Sequence, residues 1–126
     1  MSKKLIETKN APEALGPYSQ AVSINGFLFL SGQIGIDPAI GKVVEGGVSE
    51  QTKQIFSNIK NVLAEAGSTL DDVVKVTVFL KNMDDFSLVN SIYAEYFTKP
   101  YPARSAVQVA KLPLDVDIEI ETIATM

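Results

Sequence analysis

The stretch that decides the fold is SEQTKQIFSNIKNVLAEAGSTLDDVVKVTVFLK, residues 49–81. Its first half has a helical period. Ile55, Phe56, Ile59, Val62, Leu63 and Ala66 recur at i, i+3, i+4 spacing and form one apolar stripe. Ser49 is placed to cap the start with its hydroxyl. Gly67 stands just past the end, where a left-handed residue closes a helix. The second half changes to period two. Over Val73 to Lys81, Val74, Val76, Val78 and Leu80 share one side, with Lys75, Thr77 and Lys81 on the other. A helix followed at once by a half-buried strand predicts helices layered on a sheet.

The flanking sequence extends that layer. N-terminal to it the chain reads as strand and turn, starting with a short strand at Lys4 to Glu7. Asn25-Gly26 separates the apolar runs Ala21 to Ile24 and Phe27 to Ser31, a strong hairpin signal because both turn positions need positive φ. Asp37 to Gly41 is a second turn, leading to a strand at Lys42 to Val44. C-terminal to it, a second helix is expected over Asp84 to Phe97, with Phe86, Val89, Tyr93, Tyr96 and Phe97 on its apolar side and Pro100 and Pro102 to stop it. Two alternating strands follow. Ala103 to Val109 sets Ser105, Val107 and Val109 against Arg104, Ala106 and Gln108. Val116 to Ala124, with the residues leading into it, sets Leu114, Val116, Ile118 and Ile120 against Asp115, Asp117, Glu119 and Glu121. The expectation is an α+β domain over residues 1–126, a mixed sheet with two helices on one face. The other face would carry Phe27, Phe29 and Phe79. That is more apolar surface than a monomer usually exposes, so self-association is expected.

Composition narrows the chemistry. The 126 residues include no cysteine and no histidine, and the net charge is −4. Disulfides, thiol catalysis, the Ser-His-Asp triad and the commonest metal ligands are excluded. The cations are scattered, without the basic stripe of a nucleic-acid binder. No apolar run is long enough to span a membrane, and Met1 to Leu5 lacks the apolar stretch of a signal peptide. A soluble cytoplasmic protein is expected.

Of the eleven cations, ten are lysines and one is Arg104. An arginine presents a planar fork that grips a carboxylate through two parallel hydrogen bonds, which lysine does not reproduce. Alternation assigns Arg104 to the sheet face away from the helices. There it is either a surface ion pair with Glu119 or Glu121, or a substrate anchor. Asp115 and Asp117 read as a solvated row. Glu119 and Glu121 lie deeper in the strand, and either is placed to act as a base. Gly32, in Ser31-Gly32-Gln33, permits close approach of the backbone to a ligand. Tyr18 sits in a loop, as an ordinary packed aromatic or a mobile cover over a site. Asn90 interrupts the apolar side of the second helix, as structural glue or as a site residue.

These residues sit in motifs that resemble the RidA family, also called YjgF, of enamine/imine deaminases. The matching stretches are Asn10-Ala11-Pro12, Gly16-Pro17-Tyr18-Ser19-Gln20, Ser31-Gly32-Gln33, Val76 to Leu80 with Asp85-Phe86 and Asn90, Pro102 to Ser105, and Ile118 to Glu121. The resemblance covers essentially the whole chain. It implies a chorismate-mutase-like fold and a homotrimer with clefts between subunits. It implies hydrolysis of 2-aminoacrylate and 2-aminocrotonate, as the imines 2-iminopropanoate and 2-iminobutanoate, to 2-keto acids and ammonia, without a cofactor or metal. By the same resemblance Arg104 matches the carboxylate-binding arginine and Glu119 the glutamate that positions or activates water. Tyr18, Ser31, Gly32 and Asn90 match pocket residues. Ala106 stands where many members carry a cysteine, and its backbone is a candidate substrate contact. The competing reading is a regulatory module that binds small carboxylates without catalysis. A ribonuclease role, attributed to some relatives, is disfavoured by the acidic balance and the absence of histidine.

Overall fold

The alternating and helical patterns are realised in a computed structural model that describes residues 2–126; Met1, counted above in the leader argument, lies outside them. Strands β1 (Lys4–Ile6), β2 (Ala21–Ile24) and β3 (Phe27–Gln33) are followed by a small two-stranded ladder of β4 (Ile36–Asp37) and β5 (Lys42–Val43). Then come α1 (Gly47–Glu65), β6 (Val73–Leu80), α2 (Phe86–Tyr93), β7 (Ala103–Gln108) and β8 (Ile118–Thr125). The main sheet runs β1-β2-β3-β8-β6-β7. Its pairings are antiparallel except β6 with β7, which is parallel, so the sheet is mixed. The β2–β3 hairpin closes through Asn25 and Gly26, both at positive φ (53° and 81°), as its sequence requires.

One side of the sheet is packed against both helices. Leu28, Leu30, Val76, Val78, Leu80, Ile118 and Ile120 project from the strands and meet Ile55, Phe56, Ile59, Val62 and Leu63 of α1 and Val89 and Tyr93 of α2. Each such side chain contributes roughly 1.5–3 kcal/mol by leaving water. Phe56 joins the helices. It stacks on Tyr96 at 4.4 Å and meets Phe97 edge-on at 5.7 Å. The opposite face leaves Phe27 and Phe29 more than 40% exposed, at 43% and 42%.

Several boundaries differ from the sequence expectation. Gly46, at φ 112°, precedes α1, so Ser49 falls inside the first turn and makes no cap. The C-terminus behaves as expected. Gly67 is left-handed, its N–H donates to Ala64 O, and Ser68 N–H donates to Leu63 O. A bulge in β6 sets Val73 and Lys75 opposite the consecutive residues Ala124 and Ile123. Val73 is therefore buried and Val74 exposed, because the extra residue reverses the alternation at that end. The second helix is shorter than its apolar pattern. Met83–Asp85 is a separate 3₁₀ turn, and α2 ends at Tyr93, with Ala94 N–H closing it on Asn90 O at 3.1 Å. Pro113–Asp115 also forms a 3₁₀ turn, so β8 starts only at Ile118, and Leu114 is exposed where the alternation had put it inside.

Candidate functional site

Arg104 lies on the edge strand β7, in parallel register with Val76. Paired residues share a face, and Val76 is fully buried beneath the helices. Arg104 therefore faces α2, which corrects the expectation that it points away from the helices. Alternation groups Arg104 with Ala106 and Gln108, but it does not say which group the helices cover. On α2, Phe86, Asn90 and Tyr93 recur at i, i+4, i+7 and form the receiving surface. Arg104 Nη1 donates to Asn90 Oδ1 at 2.7 Å. The guanidinium carbon lies 5.2 Å from the centre of the Phe86 ring and 4.7 Å from that of Tyr93. Both are cation–π distances.

Arg104 has no carboxylate partner among the described residues; the ion pairs there join Lys53 to Glu50 and Lys81 to Asp115. The surface ion pair with Glu119 or Glu121 is thus not formed. A cleft of about 330 Å³ opens beside the guanidinium, lined by Asn90, Tyr93, Ala94, Tyr101, Pro102 and Arg104. Tyr93 is buried and its hydroxyl has no hydrogen-bond partner. Burial pushes the Tyr93 hydroxyl pKa up, and the nearby Arg104 charge partly opposes this. The contribution of Tyr93 to the site is its ring.

Glu119 occupies the other side of the sheet. It pairs with Phe79, out of phase with the buried Val78 and Leu80. On the adjacent strand, β3 carries an extra residue between Leu30 and Gln33, across from Glu121, which breaks the ladder at Ser31 and Gly32. Such bulges re-aim side chains and occur beside active sites. The Glu119 carboxylate lies against Gly32, where any Cβ would overlap it. Glycine leaves room for the carboxylate in this position by its lack of a Cβ, not by its dihedrals. Burial raises the Glu119 carboxyl pKa, and the neighbouring charge of Glu121 raises it further. A base with a raised pKa is better matched to proton transfer near neutrality.

Ser31 is held from both ends. Its N–H donates to Gln20 O at 2.9 Å, and its hydroxyl donates to Ser19 O at 2.6 Å, leaving the hydroxyl oxygen free to accept. Tyr18 follows a tight turn in which its N–H reaches Gly16 O at 2.8 Å, and its side chain is exposed. Tyr18, Ser31, Gly32 and Glu119 line one cleft of about 630 Å³, together with Glu13 and an apolar wall.

The candidate residues thus form two groups. Arg104 and Asn90 share one cleft, and Tyr18, Ser31, Gly32 and Glu119 share another on the opposite face. Within one chain the fold does not bring Arg104 and Glu119 together. Ala106, in register with Val78, packs its methyl against the core and lines neither cleft. Sequence reasoning missed three buried amides that fix the walls. Gln20 accepts from Thr8 N–H and donates to the carbonyls of Thr8, Ala11 and Pro12, pinning the loop that leads to Tyr18. Asn58 donates to Ile36 O at 2.9 Å. Gln51 exchanges two hydrogen bonds with Asp117, which is therefore a clamp and not part of a solvated row. The signal for Gln20 and Asn58 was an amide beside apolar residues, and Gln51, between Glu50 and Thr52, carried none. For the rings around Arg104, it was the spacing of Phe86, Asn90 and Tyr93.

The pattern of the family described as Endoribonuclease L-PSP matches residues 8–126. A 2-iminobutanoate/2-iminopropanoate deaminase from Bos taurus is 50% identical over 122 residues, spanning 97% of this chain and 89% of its own length. The chain belongs to the RidA (YjgF) family. Another relative, a RutC family protein from Pyrococcus abyssi, is 53% identical over 124 residues, 98% of each chain. The RidA-family architecture of two helices on a mixed sheet is matched by a crystal structure of the Rid family protein YyfA, of unknown function, from Yersinia pestis. That match has a TM-score of 0.97 and 51% identity, and covers 99% of this chain and all (100%) of the other. Among the described residues no helix is long and apolar enough to cross a membrane.

Proposed function

We propose that this RidA-family chain hydrolyses small 2-imino acids, 2-iminopropanoate and 2-iminobutanoate with their enamine tautomers, to 2-keto acids and ammonia. The observation that carries the reading is the state of Arg104. It is the one arginine, it has no carboxylate partner among the described residues, and Asn90 and two aromatic rings hold it in place. Asn90 engages only one of its terminal nitrogens, so donors remain for an incoming carboxylate. A charged fork held in advance and left unpaired is what a carboxylate anchor requires.

In this mechanism Arg104 binds the substrate carboxylate and so orients the imine carbon. Glu119, ionised and made more basic by burial, takes a proton from water as the water oxygen bonds to that carbon. Glu119 returns that proton to the imine nitrogen, giving a carbinolamine. Its collapse forms the keto C=O bond and breaks the C–N bond, and ammonia leaves. Ser31 and Gly32 border the Glu119 carboxylate, and Tyr18 covers the cleft mouth. Because Arg104 and Glu119 lie on opposite faces of one sheet, the complete site forms between subunits. Packing of the open faces around Phe27, Phe29 and Phe79 into a homotrimer would bring the Arg104 cleft of one copy to the Glu119 cleft of the next. We place this activity in the cytoplasm, where pyridoxal-phosphate enzymes acting on serine and threonine release such intermediates.

The test couples threonine dehydratase to the protein and follows the released imine by semicarbazide trapping. The expected result is a semicarbazone yield that falls as protein is added, with 2-ketobutanoate formed in its place. An unchanged yield removes the deaminase reading. Small-carboxylate binding without turnover in the same preparation would favour the regulatory module.

A further inference from the structure

Gln51, in the second turn of α1, touches both chain segments that meet at the Glu119 carboxylate. It is a buried amide on a helix face shared with the core. One segment is the head of β8. Asp117, two residues before Glu119, donates its N–H to Gln51 Oε1 at 2.9 Å, and its carboxylate accepts from Gln51 Nε2 at 3.1 Å. Its carbonyl accepts from Lys81 N–H at 2.9 Å. Asp117 is thus held at its N–H, its carbonyl and its side chain. The other segment, residues 33–36, leaves the bulge of β3. Ile34 and Ile36 line the Glu119 cleft, and Gly35 between them lies against the helix, where a Cβ would stand 2.8 Å from Gln51 Cα. Two turns further along α1, buried Asn58 holds the same segment. It donates to Ile36 O at 2.9 Å and accepts from Gln54 Nε2 at 2.9 Å. Buried amides with their partners in place specify one arrangement, where an apolar contact would tolerate sliding.

We infer that Gln51 is a positioning residue for the hydrolysis: it fixes the head of β8 against residues 33–36 and so sets where the Glu119 carboxylate lies beside Gly32. This inference rests on the imine-hydrolase reading. The β3–β8 ladder is broken at Ser31 and Gly32 and resumes only where Gln33 pairs with Ile120. Strand pairing therefore does not hold the carboxylate–Gly32 contact by itself, and a shift between the two segments passes directly into it. Gln51 lines neither the Arg104 cleft nor the Glu119 cleft. It acts through Asp117 and Gly35, without touching substrate.

The test measures kcat and KM for 2-iminobutanoate by the dehydratase-coupled semicarbazone trap, at a temperature below every melting midpoint in the set. Gln51→Met keeps the length of the side chain and removes both hydrogen bonds to Asp117. Gln51→Glu sets a second carboxylate against that of Asp117. Gln51→Glu combined with Asp117→Asn exchanges the amide and the carboxylate, so both bonds return with the side-chain one reversed. A misplacement of about 1 Å by a change remote from the chemistry costs on the order of 100-fold, so each single variant should lower kcat roughly 10- to 100-fold. KM should stay within about twofold of wild type, because the Arg104 cleft is untouched. The double variant should recover kcat to within about threefold of wild type, since neighbouring residues that share a bond are not additive. Single variants that keep wild-type kcat and only melt earlier show a purely structural role and overturn the inference. So does a double variant that melts like wild type but stays as slow as Gln51→Glu, and so does a loss carried by KM; all three leave the deaminase reading standing. If Gln51→Glu does not fold, Gln51→Met and the double variant decide by the same criteria. A wild type inactive on the imine overturns the deaminase reading itself and this inference with it.

Discussion

Replacing Arg104 by alanine removes the whole fork and leaves the substrate carboxylate without its partner. Truncating one member of a desolvated, hydrogen-bonded charge pair costs about 2–5 kcal/mol. At 1.36 kcal/mol per decade this is a loss of roughly 30- to 5,000-fold in kcat/KM. Arg104→Lys keeps the charge but gives up one of the two parallel bonds. A hydrogen bond to a charged group is worth about 1.5–3 kcal/mol, so the loss should be roughly 10- to 150-fold. Neither change should unfold the protein. Arg104 sits on an edge strand, is exposed and forms no ion pair among the described residues. The assay is the dehydratase-coupled semicarbazone trap, with circular dichroism melts as the folding control. An Arg104→Ala protein that stays folded and retains kcat/KM within twofold of wild type would refute the anchor role, and with it the mechanism.

Three further outcomes follow from the same geometry. Tyr93→Leu should raise KM more than it lowers kcat, because the guanidinium loses one of the rings that orient it, whereas Tyr93→Phe should behave as wild type because the Tyr93 hydroxyl bonds to nothing; equal defects in both variants would contradict this. Gly32→Ala should lower turnover with little change in melting temperature, since the added methyl displaces the flexible end of Glu119 and not backbone, and full activity would show that the carboxylate position is immaterial. The Glu119 carboxyl is raised in the fold, so its ionisation opposes folding: the cost is complete above its folded pKa and relieved as pH falls toward the ordinary carboxylate value. Glu119→Gln should therefore be more stable than wild type at neutral pH, by a margin that vanishes below about pH 4, while its turnover drops; a margin independent of pH would contradict the linkage.

Local sequence determined most of the elements of this protein. The stripe from Ile55 to Ala66 makes α1 wherever it is placed, because side chains 3.6 residues apart share a face. Asn25-Gly26 makes the hairpin because both residues tolerate positive φ. Alternation grouped Arg104 with Ala106 and Gln108, and Glu119 with Glu121, for the same local reason. Which group meets the helices is not a local property. It depends on the register of β7 against β6, set by the packing of Val76, Val78 and Leu80 under both helices. That register turned Arg104 onto Phe86, Asn90 and Tyr93 and left Glu119 on the far face beside Gly32. The bulges at Val74 and at Ser31–Gly32 were equally hidden, since one inserted residue reverses every later side chain and only the partner strand reveals it. The amides of Gln20, Gln51 and Asn58 find their partners across 8 to 66 residues of chain, through contacts that exist only once the layers have closed.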